Sequence, residues 1–340
     1  MDNLFDNGKK KLVIYPTDVL IVMLNIIFSI FSFLNVGKLK ISILGIIIDR
    51  QLCMGLFFLL VNILVFYLIK LANPCKNKIV QFLRLFYGQA FYAIYFPECI
   101  NLSQLFYNNR SFDKLFADLD YLIFHYQPAE EFSKTFINNH YINELFFFSY
   151  FVYYLLITAG WWILFLRNKK STAVYCFFIT TASFGILYIW YTFFPVKGPK
   201  FYIDSLHDVW YSNFQGFFFT NLMKKIFNTT NLGGAAFPSS HVAISLVALF
   251  LNRNQNKYLM PVIFPLTITL MLSTVYLYAH YFVDVIGGIF AAIILYTYVP
   301  LLYQYFFKFS AKLSNILIEK FKFHEIYDFS YIITDTKISQ

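Results

Sequence analysis

Apolar runs of about 20 residues, each closed by charged or turn-forming residues, recur from one end of the chain to the other. A hydrocarbon layer about 30 Å thick asks a spanning helix for about that length, so each run predicts a crossing. The pattern places spans at 17–36, 51–72, 83–106, 145–166, 171–194, 239–252, 258–279 and 283–306, about eight in all. The third carries Arg84, Pro97 and Glu98, and a re-entrant or interfacial segment is the competing reading there. The sixth is short: at 1.5 Å per residue it rises only about 21 Å, so one of its ends lies inside the membrane profile. The predicted fold class is all-α, a polytopic transmembrane helical bundle.

The same pattern divides the chain into N-terminal spans with an outer acidic loop (1–144), a helical core (145–306) and an amphipathic tail (307–340) that lies on the inner membrane surface. Hydrophobic residues make up 59% of the chain and charged ones 13%, which excludes an ordinary soluble domain. The net charge of +9 comes from 27 Lys and Arg against 18 Asp and Glu. Seventeen of those 27 cations fall on the side of both termini. They include Lys9, Lys10 and Lys11 and the connectors RNKK (167–170) and RNQNK (253–257). This bias predicts cytoplasmic termini and assigns the positive charge to membrane orientation, with no nucleic-acid partner expected. The outer loop 107–144, with Asp113, Asp118, Asp120, Glu130, Glu131 and Glu144, predicts short interfacial helices without a catalytic role. Cys53, Cys75, Cys99 and Cys176 are scattered without CxxC spacing, so neither a disulfide nor a metal site is expected from them.

Three polar islands break the apolar pattern, and the span count puts all of them on one, outer, face: FPVKGPK (194–200), FPSSH (237–241) and STVYLYAHYFVD (273–284). Ionisable groups at membrane depth are expensive and point to function. His280 and Asp284 are four residues apart on one helical face, so the carboxylate can take the proton of one ring nitrogen and leave the other as a lone pair. His241 follows Pro238, Ser239 and Ser240 at an expected helix N-terminus, whose unpaired amides favour an anion. Two such histidines, with lysines in a Gly/Pro loop, describe phosphate-ester chemistry. One attacks phosphorus, the other protonates the departing oxygen, and no metal or other cofactor is called for.

These residues resemble the type 2 phosphatidic acid phosphatase (PAP2) superfamily, whose three blocks read KxxxxxxRP, PSGH and SRxxxxxHxxxD. Pro238, Ser239, Ser240 and His241 match the second block with Ser in place of Gly, and Ser273, His280 and Asp284 match the third at its spacing. The resemblance is strong over about 190–290, looser over 145–306, and makes that core PAP2-like. It implies that His280 is the nucleophile forming a phosphohistidine, that Asp284 orients it, and that His241 is the general acid. Ser239 and Ser240, and Lys197 and Lys200 of the thinned first block, would hold the phosphate. Thr274 stands where the third block has Arg, and Lys supplies that group's charge without its fork. The STVY and HYFVD wording is closest to the branch of inositol phosphorylceramide synthases and bacterial lipid phosphatases, which also relax that arginine. The expected function is a metal-independent lipid phosphatase on the periplasmic or lumenal face, acting on a lipid phosphate headgroup. Transfer to a second alcohol, as in an inositol phosphorylceramide synthase, and a catalytically impaired lipid-binding or transport protein are the other readings. The lipid, the acceptor, the membrane and the oligomeric state are not written in the sequence.

Overall fold

The computed structural model describes residues 12–43, 46–203, 206, 213–229 and 232–326. It is an all-α polytopic helical bundle, 78% helical. Among the described residues six helices are long and apolar enough to cross a membrane: Pro16–Phe33, Arg50–Ala72, His140–Leu166, Lys170–Phe193, Lys257–Tyr276 and Phe282–Phe321. Several present apolar side chains outward; the second is only 22% buried over its most apolar stretch and the last 28%. Leu60, Leu64, Phe290 and Ile294 all stand exposed. That surface is stable only against hydrocarbon.

By contact the chain forms two units, the described parts of 1–91, 161–182 and 299–340, and residues 92–160 with 183–298. In the first, α1 (Pro16–Phe33) starts at a proline, and its Asp18 carboxylate accepts from the Tyr15 amide at 2.6 Å. It packs along α2 (Arg50–Ala72), where Phe28 meets Phe58 at 5.7 Å and Ser29 donates to the Gly55 carbonyl at 2.9 Å. A hairpin of β1 (Lys40–Ile43) and β2 (Ile46–Asp49), paired antiparallel with Lys40 opposite Asp49, precedes α2. Asp49 then caps α2 by accepting from the Leu52 amide.

The third expected span, 83–106, is not one helix. It comprises α3 (Lys78–Phe86), a 3-10 turn (Tyr87–Phe91) and α4 (Tyr92–Tyr107). Arg84 lies in the last turn of α3, just before the break. It is buried with Asp18, donating to both carboxylate oxygens at 2.8 and 2.5 Å and to Asn73 at 3.0 Å. A charge this deep requires such a partner.

In the second unit the segment 107–144 forms the short helices α5 (Asp113–Phe124) and α6 (Pro128–Phe136), as expected. Helices α7 (His140–Leu166), α8 (Lys170–Phe193) and the four-residue α9 (Pro199–Tyr202) follow. Then come α10 (Phe218–Thr229), α11 (Ser240–Gln255), α12 (Met260–Tyr276) and α13 (Phe282–Phe321). The sixth expected span is α11, whose 16 residues rise about 24 Å, still short of the hydrocarbon thickness. The last helix passes the expected end at 306 and continues unbroken through Pro300 to Phe321. Lys9, Lys10, Lys11 and residues 327–340 of the tail lie outside the described residues.

Candidate active site

The site is built where α11 and α13 meet. Ser239 caps α11, its hydroxyl accepting from the Val242 amide at 3.4 Å, and its own amide donates to the Asp284 carbonyl at 3.0 Å. The helices approach this closely because Gly288 has no side chain: a Cβ there would stand 2.9 Å from the Ser239 carbonyl oxygen. His241, in the first turn of α11, is thereby delivered to the start of α13.

His280 lies in the tight connection from α12 to α13. Tyr278 adopts a positive φ of 59°, and the amides of Ala279 and His280 both donate to the Thr274 carbonyl at 3.1 Å. The imidazole is 4% exposed. Its Nδ1 lies 2.9 Å from the Ala236 carbonyl oxygen, which only accepts, so this nitrogen carries the proton. Nε2 therefore holds the lone pair, and it faces Nδ1 of His241 at 3.4 Å. Burial lowers the pKa of His280 to about 4, and the Ala236 carbonyl partly opposes the shift, so the ring is neutral at pH 7. The His241 ring is packed between Tyr150 and Tyr153, with centroids 4.6 and 4.4 Å away.

The expected pairing of Asp284 with His280 takes a different form. Asp284 Oδ2 is 3.5 Å from Nδ1, beyond the Ala236 oxygen, and accepts from the Tyr281 amide at 2.8 Å. It is the third residue of α13 reaching back to the residue before the helix, one half of a capping box. Its Oδ1 is buried with no hydrogen-bond partner. Asp284 therefore stands beside the imidazole with acceptor capacity to spare, and the backbone holds the ring proton.

The Lys197–Lys200 loop is brought to the same place through its backbone. The Lys200 amide donates to the Tyr278 carbonyl at 3.1 Å, and the Ala236 amide donates to Val196 at 2.9 Å. Gly198 has a φ of 94°, and a Cβ on it would stand 2.7 Å from the Ala279 carbonyl oxygen, one residue before His280. The Lys200 ammonium rests over the Phe201 ring, 4.7 Å from its centroid, and burial pushes its pKa down from 10.5 to about 7. The Lys197 side chain is half-buried. Ser240 is buried at the first position of α11. Thr274 has no exposed surface, and its hydroxyl donates back to Met271 at 2.7 Å.

Two residues that the sequence reading set aside belong to this site. Asp113 accepts from the amides of Lys197 at 2.9 Å and Gly198 at 2.8 Å and from the Tyr281 hydroxyl at 3.2 Å. Asp120 accepts from the amides of Phe282 at 2.8 Å and Val283 at 3.0 Å. The available signal was their register: seven residues apart on α5, with Phe116 and Ala117 between them on the same face. Among the described residues no group of three His, Cys, Asp or Glu is placed to hold a metal ion.

Residues 116–298, more than half of the chain, match the family model of the PAP2 superfamily. The chain belongs to the PAP2 superfamily. No curated protein and no solved structure matches it. Membership carries a phosphatase-like function at a lipid phosphate, and the apolar helices make this PAP2 protein a multi-pass membrane protein. The match spans the loop of Lys197 and Lys200, His241, His280 and Asp284, and it begins three residues after Asp113.

Proposed function

We propose that the protein is an integral membrane lipid phosphatase working through a phosphohistidine on His280. The reading rests on one observation above all: Nδ1 of His280 is committed to the Ala236 carbonyl, so the Nε2 lone pair faces the site and His241. In the first step Nε2 attacks phosphorus, the bond from phosphorus to the lipid oxygen breaks, and that oxygen takes a proton from His241 in its imidazolium form. The phosphorylated ring keeps its Nδ1 proton and becomes positive, and the Asp284 carboxylate 3.5 Å away meets that charge. In the second step neutral His241 takes a proton from water, the oxygen attacks phosphorus, and the nitrogen–phosphorus bond breaks. Lys200, Lys197 and the amides at the start of α11, with Ser239 and Ser240, supply positive potential for the phosphoryl oxygens, in a mechanism that calls for no divalent metal. The lipid class is favoured by the short α11: a helix shorter than the hydrocarbon layer is expected to keep one end, here the one with His241, below the membrane surface. The cation bias of the connectors 167–170 and 253–257 favours cytoplasmic termini and a site on the outer face.

The test is phosphate release from phosphatidic acid by the purified chain in EDTA, with acid-quench trapping of the phosphoenzyme. Activity without divalent metal, and a trapped label absent from His280→Ala, are expected. Equal turnover in His280→Ala, or activity that returns only with Mg²⁺, refutes the mechanism. Ceramide and inositol, included as acceptors in the same panel, report transfer in place of hydrolysis.

A further inference from the structure

We propose that Asp113 and Asp120, on one face of α5, are positioning residues that hold the Lys197–Lys200 loop and the His280 helix at a fixed spacing; this rests on His280 being the nucleophile. Both carboxylates are fully buried, and each accepts from two backbone amides in a different block of the site. Asp113 also takes the hydroxyl of Tyr281, the residue after His280. It thereby ties the phosphate loop to the start of α13. Between the two carboxylates, Phe116 of α5 packs on Phe237 at 4.6 Å and on Tyr281 at 6.3 Å, within a cluster that includes Val196 and Ala236. A buried apolar plug with an anion at either end makes α5 a splint across all three polar islands.

The donor accounting at the start of α13 gives Asp120 a second consequence. The first amides of a helix have no partner within it. Tyr281 N is taken by Asp284 Oδ2, and Phe282 N and Val283 N are taken by Asp120. Because Asp120, from outside the helix, caps these two, Asp284 has only the Tyr281 amide to satisfy at its own helix end. It keeps Oδ1 unpartnered and Oδ2 beside the imidazole. An asparagine in place of either aspartate keeps the size but offers one acceptor oxygen, and its NH₂ would face an N–H.

The experiment compares Asp113→Asn, Asp120→Asn and, as control, Asp118→Asn in the purified full chain. Asp118 sits on the exposed side of α5, paired with Lys114 at 2.5 Å. The readouts are kcat and KM for p-nitrophenyl phosphate, and the Ki of inorganic phosphate, which is independent of the fraction of active protein. Asp113→Asn is expected to raise the phosphate Ki by about 10-fold through the loosened loop. Asp120→Asn is expected to lower kcat by about 10- to 100-fold with Ki within about twofold, and the control to match wild type. Folded variants with wild-type kcat and Ki, or activity losses that only track lost folded protein with Ki unchanged in Asp113→Asn, overturn the proposal. Should the asparagine variants not fold, Tyr281→Phe decides, since it removes one hydroxyl from Asp113: a Ki raised about threefold supports the proposal and an unchanged Ki overturns it. An inactive wild type, or an active His280→Ala, overturns the phosphohistidine reading and this proposal together. Insensitive aspartates in an enzyme that His280→Ala kills overturn this proposal alone.

Discussion

Lys200 offers the sharpest quantitative test of the site. Its side chain is 8% exposed, and burial pushes its pKa down from 10.5 to about 7. Half of the free protein then carries the charge at pH 7, about one molecule in ten at pH 8 and about one in a hundred at pH 9. A bound phosphate favours the charged form and raises the pKa again, so the lysine stays protonated in the complex. Because kcat/KM reports the free enzyme, it should fall about 10-fold per pH unit above 7, with kcat flat over the same range. Lys200→Arg removes this limb, since a guanidinium does not deprotonate there, and Lys200→Gln lowers kcat/KM at pH 6 by about 10- to 100-fold and leaves no limb. The assay is hydrolysis of p-nitrophenyl phosphate between pH 6 and 9.5, whose leaving group needs no proton, so that titration of His241 adds no limb of its own. The titration of Lys200 itself does not destabilise the fold over this range. A lysine whose folded pKa is depressed makes the native state bind fewer protons than the unfolded one, so between pH 7 and 10.5 stability rises with pH as activity falls. A wild-type kcat/KM that is flat to pH 9, or a limb that persists in Lys200→Arg, refutes the assignment of Lys200 to the phosphate.

His241→Ala should discriminate between leaving groups: release of a lipid alkoxide, which needs the proton, falls by about 10²- to 10⁴-fold, and release of p-nitrophenolate falls far less. Equal losses on the two substrates would remove the general-acid role. Gly198→Ala should lower kcat/KM by about 10-fold or more, because the left-handed φ and the Ala279 carbonyl 2.7 Å from the new Cβ force the loop to shift beside His280. Wild-type kinetics in that variant would show that the loop's conformation does not matter to the reaction.

What the sequence disclosed and what it withheld divide along the range of the interactions. Span length and apolarity are local, so the all-α bundle was legible. The short helices α5 and α6 were legible as well, because the segment 107–144 mixes acidic and apolar residues. The motif spacings are also local, and His241, His280 and Asp284 do meet. The buried partner of Arg84 was not legible, because Asp18 lies 66 residues away. The hairpin at 40–49 lay hidden between two spans because four-residue strands carry too short a pattern to stand out beside apolar helices. The partner of the His280 proton was unreadable for a different reason. A backbone carbonyl such as that of Ala236 leaves no mark on the residue type. Asp113 and Asp120 were misjudged because acidic residues in a loop usually face water, and only their amide partners, 84 and 162 or more residues away, reveal that these two do not.

The surroundings of Thr274, the most conspicuous departure from the third PAP2 block, bear on how the site meets phosphate charge. Thr274 sits with no exposed surface, its hydroxyl turned back onto Met271 and its carbonyl holding the two amides that form the turn into His280. A guanidinium at this position would have to be desolvated beside a neutral, buried imidazole, whose lone pair its field would weaken. On the proposed mechanism the positive charge comes instead from a flanking loop, where burial pushes the pKa of Lys200 down to about 7. A cation of that kind adds little repulsion around the empty site and gains its full charge when the phosphoryl group enters. Placing it there requires the loop to be held rigidly against the turn before His280. The Lys200 amide on Tyr278, the side-chain-free Gly198 against Ala279 and the Asp113 carboxylate under both Lys197 and Gly198 provide that hold. On the proposed mechanism a charge carried on a loop in place of a helix needs a second element to fix its position, and α5 is that element.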